Sequence, residues 1–181
     1  MDSVGPVTVS LRRARHDDLE FLLALEAGDE VAPFLAAGRD RSREALAAEI
    51  ERSEAEPGRY GRFVIEVDGE AAGTVAFELV NERSAIADLR GLAVDPRFRG
   101  RRVGVEAARL LQQHLIRDLS LHRLQLEIYG FNERAQAHAD LSGYTREGVR
   151  RSAYRHGEGW TDGVLYGLVA EDLDDGSVPN G

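Results

Sequence analysis

The sequence predicts an α/β protein: one domain built on a central, twisted, mixed sheet of about seven strands, with helices on both faces. Three observations carry this. Apolar periodicity switches between two and 3.6 in the order strand, two helices, three strands, helix, strand, helix, two strands. The segment Leu89–Leu119 runs from a short apolar strand through an arginine-rich turn into a long amphipathic helix, and a helical crossover of that kind suits a parallel neighbour. Asp68-Gly69 joins two strand-like runs as a tight hairpin, so antiparallel pairs belong to the same sheet.

Taken in order, residues 1–6 are expected to be a flexible N-terminus, followed by a domain over 7–171 and a flexible tail over 172–181. Val7, Val9 and Leu11 alternate with Thr8, Ser10 and Arg12 as a half-buried strand. His16-Asp17-Asp18 starts a helix, with Asp17 and Glu20 spaced as a capping box. Leu19, Leu22, Leu23 and Glu26 continue it to Gly28, and Pro33 to Gly38 is a connection. Ser42 can cap a second helix with Leu46 and Ile50 on its apolar face, closed by Pro57-Gly58.

Strands are predicted at Arg62–Val67, Gly73–Val80 and Ala85–Val94. In the helix that follows, Val103, Ala107, Leu110, Leu111, His114 and Leu115 share one face. Leu121 to Tyr129 alternates Leu124, Leu126 and Ile128 against Gln125, Glu127 and Tyr129. Asn132 to Leu141 is a short helix ended by Ser142-Gly143. Strands at Tyr144–Ala153 and Gly163–Val169, joined through Gly157-Glu158-Gly159, complete the sheet.

Composition bounds the function. The chain has 181 residues, 43% of them hydrophobic and 30% charged, which suits a soluble chain able to bury a single core. A formal net charge of −9 argues against a general nucleic-acid binder, whose affinity comes from neutralising phosphates. No apolar run approaches the roughly 18 residues of a membrane span, and no charged-then-apolar leader opens the chain. Cysteine is absent, which excludes disulfides and thiolate chemistry; a cytoplasmic location is the default. Every basic residue is arginine, so no lysine can act as a catalyst.

The most informative stretch is Leu92 to Gly104. Leu92, Ala93 and Val94 end a strand, Asp95-Pro96 breaks it, and Arg97, Arg99, Arg101 and Arg102 surround Gly100 before a helix opens near Val103 and Gly104. The first turn of a helix has N–H groups without intrahelical partners and carries the positive end of its dipole. Strand, glycine turn, arginines and helix start together make a cradle for phosphates.

This segment resembles the acyl-CoA-binding motif of the GNAT superfamily of N-acetyltransferases, Gln/Arg-x-x-Gly-x-Gly/Ala. Arg99, Gly100, Arg101, Arg102, Val103 and Gly104 occupy that frame, with arginine at the fourth position instead of glycine. If Arg102 has helical dihedrals, its side chain is sterically allowed, and it either crowds the pyrophosphate of coenzyme A or adds a contact to it. A second family frame, Asn-x-Arg-Ala followed by Gly-Tyr, matches Asn132, Arg134, Ala135, Gly143 and Tyr144. The resemblance implies that Asn132 contacts the pantetheine arm or its surroundings and that Arg134 belongs to the coenzyme site. The family's tyrosine acid falls on Ala139 and is missing. Glu147, Gly148, Asp162, Leu165 and Tyr166 fit the closing pattern of the branch that contains the ribosomal-protein N-terminal acetyltransferases.

The implied reaction is direct transfer of an acetyl group from acetyl-CoA to a primary amine, with no metal. A lysine-like amine is neutral only about one part in 10^3 at pH 7, an α-amine roughly ten per cent, so an alkyl amine has the greater need of a base. The resemblance places the thioester-oxygen donor, a backbone amide, near Leu92 to Val94. It also nominates two bases: Glu127, five residues before Asn132, and Asp88, eleven before Arg99. Asp88 shares a strand face with Arg90, and a simple pair between them is the plainer reading of it. Glu78 is a third candidate. His138, Tyr144 and Tyr129 are weighed as proton donors, and Trp160 and Phe34 as groove residues, each against an ordinary packing role. The competing reading, motivated by Arg102 and Ala139, is an acyl-CoA-binding sensor or partner protein on the same fold. A phosphate-binding domain for another nucleotide is a third. Analogy with the family implies a homodimer.

Overall fold

The structure is a computed structural model and describes residues 7–35 and 39–174. Its strands are β1 (Val9–Arg13), β2 (Tyr60–Val67), β3 (Glu70–Asn81), β4 (Ile86–Val94), β5 (Arg123–Tyr129), β6 (Thr145–His156) and β7 (Gly159–Val169). Its helices are α1 (Leu19–Ala27), α2 (Arg43–Ala55), α3 (Val103–Gln113), α4 (Glu133–Leu141) and α5 (Ala170–Asp174). The strands form one mixed sheet of seven, as the element pattern predicts, in the order β1-β2-β3-β4-β5-β7-β6. The chain divides into two compact units: Met1–Glu78 with Arg90–Leu111, and Leu79–Leu89 with Gln112–Gly181.

In the first unit β2 is buried on both faces. Ile65 and Val67 pack with Phe98, Val103 and Ala107 on the α3 side, whereas Val64 packs with Leu22, Leu46 and Ile50 of α1 and α2. Alternate residues of a strand point to opposite faces, so β2 has helices on both. Each leucine or isoleucine buried completely contributes about 2 kcal/mol. The β2–β3 hairpin turns at Asp68 (φ 52°) and Gly69 (φ 84°), the left-handed pair that a two-residue hairpin requires. Ser42 caps α2, its hydroxyl accepting from the Ala45 amide at 3.2 Å.

The same unit departs from expectation at α1. The helix begins at Leu19 after a 3₁₀ turn over His16–Asp18, and the acid that ties this turn is Asp18, not Asp17. Arg12 draws the Asp18 carboxylate inward at 2.7 and 2.8 Å, where it also accepts from the Arg15 amide at 2.7 Å.

In the second unit Leu124, Leu126 and Ile128 of β5 pair with Leu168, Tyr166 and Val164 of β7, and most of this row is buried. The opposite face carries the rows Gln125–Gly167, Glu127–Leu165 and Tyr129–Gly163. The parallel pairing predicted for the crossover is found at Ile86–Arg123, Ala87–Leu124 and Asp88–Gln125. β6 and β7 run longer than expected. Asp162 accepts from the Ser152 amide at 2.7 Å and pins a bulge at which Ser152 takes φ 49°, so pairing resumes at Tyr154–Thr161 and continues to His156–Gly159. The predicted long helix changes pitch after Gln113 into a π-helical turn, His114–Asp118, which still buries Leu115. The tail expected from Asp172 begins as helix: the Asp172 carboxylate accepts from the Val169 amide at 2.9 Å and starts α5. The expected flexible segment 1–6 and the remainder of the tail lie outside the described residues. Among the described residues no helix is long and apolar enough to cross a membrane.

Candidate active site

The arginine turn is built from the strand end outward. Ala93 is buried in β4, and Leu92 and Val94 pack on the core beneath α3. β3 approaches so closely that a Cβ on Gly73 would lie 2.4 Å from the Ala93 carbonyl oxygen, which is why glycine stands there. The Asp95 amide donates to the Ala72 carbonyl (2.8 Å), and its carboxylate accepts from the Arg97 amide (2.9 Å) and guanidinium (2.9 Å). That pairing with Arg97 holds the Asp95 carboxyl below the usual range. Pro96–Phe98 forms a 3₁₀ turn with Phe98 buried under it. Arg99 donates from Nε to the Val94 carbonyl at 3.1 Å and pairs with Glu30.

Gly100 (φ 78°) and Arg102 (φ 58°) are both left-handed, and α3 starts at Val103. Arg102 therefore lacks the helical dihedrals under which its side chain would be strain-free. A non-glycine residue in this region costs about 1 kcal/mol or more. The turn's shape, not only ligand proximity, is what makes glycine the expected residue there. Arg101 and Arg102 are exposed, with no ion-pair partner among the described residues, and Gly104 sits half-buried in the first turn of α3.

The two nominated carboxylates differ. Asp88 accepts from the Gln125 side-chain amide at 2.7 Å. Its expected partner Arg90 instead pairs with Glu78. Glu78 also accepts from Arg52 at 2.8 Å; burial acts to raise its carboxyl, but the two arginines together hold it below the usual range, which leaves it a poor base. Glu127 lies on the non-core face of β5, with its side chain 23% exposed. Its carboxylate accepts from Arg150 at 2.9 Å and leans over β7, where a Cβ on Gly163 would fall 1.9 Å from Glu127 Oε1 and 2.9 Å from the Tyr154 ring.

Asn132 caps α4, its side-chain oxygen accepting from the Ala135 amide at 3.1 Å, and Arg134 is exposed in the first turn. Ala139 is buried, so the frame position of the missing tyrosine faces the core. Tyr144 is a packing residue: complete burial pushes its phenol well above the usual range. Tyr129 stacks on Phe131 and meets Tyr154 edge-on, with centroids 5.0 Å apart. Trp160 is exposed and lies 5.2 Å from the Arg155 guanidinium; Phe34 is exposed. Among the described residues no group of three or more His, Asp or Glu side chains is placed to hold a metal ion.

Sequence reasoning missed two features. One is Arg62, completely buried and paired with Glu26 and with Glu49 (3.3 Å). Its signal was Glu26 itself, a carboxylate at an apolar-face spacing of α1. The other is the set around Glu127: Arg150, Tyr154 and Gly163. Glycine inside a strand, which usually marks close approach of another group, was its signal.

A model of the acetyltransferase (GNAT) family matches residues 13–144. A putative acetyltransferase from T. thermophilus shares 30% identity over 92% of this chain and 88% of its own, with a TM-score of 0.71. RimJ of Mycobacterium smegmatis, solved in complex with CoA-disulfide, shares 24% over 95% and 89%, with a TM-score of 0.78. Spermidine N-acetyltransferase from Vibrio cholerae, in complex with CoA and spermine, shares 17% over 91% and 96%, with a TM-score of 0.79. The last two likenesses speak to fold alone.

Proposed function

This chain belongs to the acetyltransferase (GNAT) family, and from that premise we propose that it transfers an acetyl group from acetyl-CoA directly to a primary amine, on a protein N-terminus or a small molecule. The observation that carries the reading is the Arg99–Gly104 turn, two left-handed residues and two exposed guanidiniums ahead of the bare N–H groups of an eleven-residue helix.

In this reading backbone amides of that turn hold the pyrophosphate of coenzyme A, with Arg101 and Arg102 adding charge. A backbone amide near Leu92–Val94 donates to the thioester oxygen as it gains negative charge. Asn132 and Arg134 serve the pantetheine arm; the Asn132 oxygen is engaged in its cap, so its amide hydrogens are what it offers. Glu127 takes the proton of the amine, and Asp88, already held by Gln125, is the lesser candidate. The N–C bond forms, the C–S bond breaks, and the coenzyme A thiolate is protonated by water, since Ala139 supplies no acid. A second reading, an acyl-CoA-binding protein with little or no transfer, is favoured by Arg102 and Ala139.

The test is thermal unfolding with and without acetyl-CoA, followed by thioester consumption across an amine panel. At about 100 times its dissociation constant the ligand stabilises the fold by roughly 2.7 kcal/mol, a shift of several degrees. Arg102→Gly is expected to raise the midpoint without ligand by relieving the left-handed arginine, and to narrow the ligand shift without abolishing it. No shift in either protein defeats both readings; a shift with no amine-dependent consumption selects the second.

A further inference from the structure

Three strands place Tyr129, Gly163 and Arg150 in one row on the face opposite the core, Tyr129 pairing with Gly163 and Gly163 with Arg150. The glycine leaves a hollow in the middle of that row. Glu127, one pleat along β5, folds its carboxylate into it. The bulge at Arg151–Ala153 then decides what borders the hollow. In regular pairing Ser152 would stand opposite Thr161; the two extra residues put Tyr154 there instead. Tyr154 leans over Gly163 with its ring, beside the Glu127 carboxylate. Burial, and then the nearby Glu127 carboxylate, push its phenol above the ordinary value.

The occupant of the hollow's rim is a cation. Arg150 donates from one nitrogen to Glu127, and its Cζ lies 5.9 Å from the Tyr154 centroid, within range of a cation–π contact. Yet this arginine is 58% exposed, and an ion pair so open to water contributes little to stability. A strand pair interrupted by glycine on β7 and bulged by two residues on β6 is weakened in return. The arrangement makes poor sense as a brace and good sense as a cation site, because a carboxylate beside an aromatic face is the chemistry that recognises an organic ammonium.

We propose that Glu127 and Tyr154 form a binding place for the head of a primary alkylammonium acceptor, and that Arg150 is an internal stand-in which the acceptor displaces. As an acceptor site this rests on the transferase reading; as a cation site it stands on the geometry. Arg150 is then a specificity-determining residue. If its guanidinium holds the carboxylate roughly nine-tenths of the time, it weakens apparent ammonium affinity about tenfold.

The experiment is an NMR titration of the full chain, without acetyl-CoA, with n-butylammonium and with uncharged n-butanol, read at the Gly163 amide. Expected are saturable binding of butylammonium but not butanol, about tenfold tightening in Arg150→Gln, and weakening in both Glu127→Gln and Tyr154→Leu. Unchanged or weaker binding in Arg150→Gln, or equal response to butanol, overturns the proposal. Butylamine-dependent thioester consumption, measured in parallel, separates the two ideas. Tightening without turnover keeps the ammonium site and defeats the transferase reading; turnover with an indifferent Arg150→Gln does the reverse.

Discussion

β7 carries two glycines four residues apart on one face, and each lies beneath a carboxylate from a neighbouring strand. Over Gly167 the carboxylate is Glu147, whose Oε1 would sit 2.4 Å from an added Cβ; over Gly163 it is Glu127. The device is the same, but its closure differs. Glu147 receives Arg123 through both terminal guanidinium nitrogens, Nη1 at 2.7 Å, and that arginine is only 23% exposed. Glu127 receives one nitrogen of a largely exposed arginine and borders a tyrosine ring. A bidentate pair satisfies both oxygens and fixes orientation. A single contact leaves a carboxylate that another cation or a water can reach. One pair closes the sheet face, and the other remains available for chemistry.

The largest effect expected from this contrast is on turnover. Glu127→Gln should lower kcat/KM for an alkylamine by about 10²–10⁴, the usual contribution of a positioned base. Glu147→Gln should shift stability by less than about 1 kcal/mol and spare turnover. Amine-dependent release of coenzyme A measures both, and an equal loss in the two variants would dissolve the distinction. The glycines give a finer test. Gly163→Ala drives a methyl group into the Glu127 carboxylate and against the edge of the Tyr154 ring, the outer parts of two side chains that can swing aside. The fold should survive with a nearly unchanged unfolding midpoint, while kcat/KM falls about 10²-fold through a displacement of order 1 Å. Gly167→Ala meets Glu147 and Arg123 in the same way and should loosen that pair alone.

Much of the fold was legible because it is written locally. The Asp68-Gly69 hairpin and the Ser42 cap each depend on residues within four positions of one another. Glu127 emerged as a candidate from family resemblance, and strand alternation set it off the core face. Its surroundings did not, because Arg150 and Tyr154 meet it only through a register that the Ser152 bulge resets, and that bulge is pinned by Asp162 ten residues away. Arg102 shows the same limit in the backbone: its place in the motif could be read, but its φ of 58° could not. The Arg62–Glu26 pair was hidden for another reason. A buried arginine in an apolar strand runs against burial statistics, and only its partner from α1 makes it tolerable.

Acid titration gives the smallest and most direct measure of how closed the Gly167 pair is. Hydrogen bonding to Arg123 holds the Glu147 carboxyl below its ordinary value, against a weaker opposing effect of burial. Its folded pKa therefore lies below its unfolded one, near 4.3. Stability from this group is fully present above the unfolded value and is lost as pH falls through the folded one. The unfolding midpoint of the wild type should drop below about pH 4.3 with a slope that Glu147→Gln and Arg123→Met both reduce by the same amount. The two substitutions together should reduce it no further, because each removes the same interaction. Additive reductions would mean that Arg123 and Glu147 act on separate partners, and the closed half of the contrast would then rest on the glycine alone.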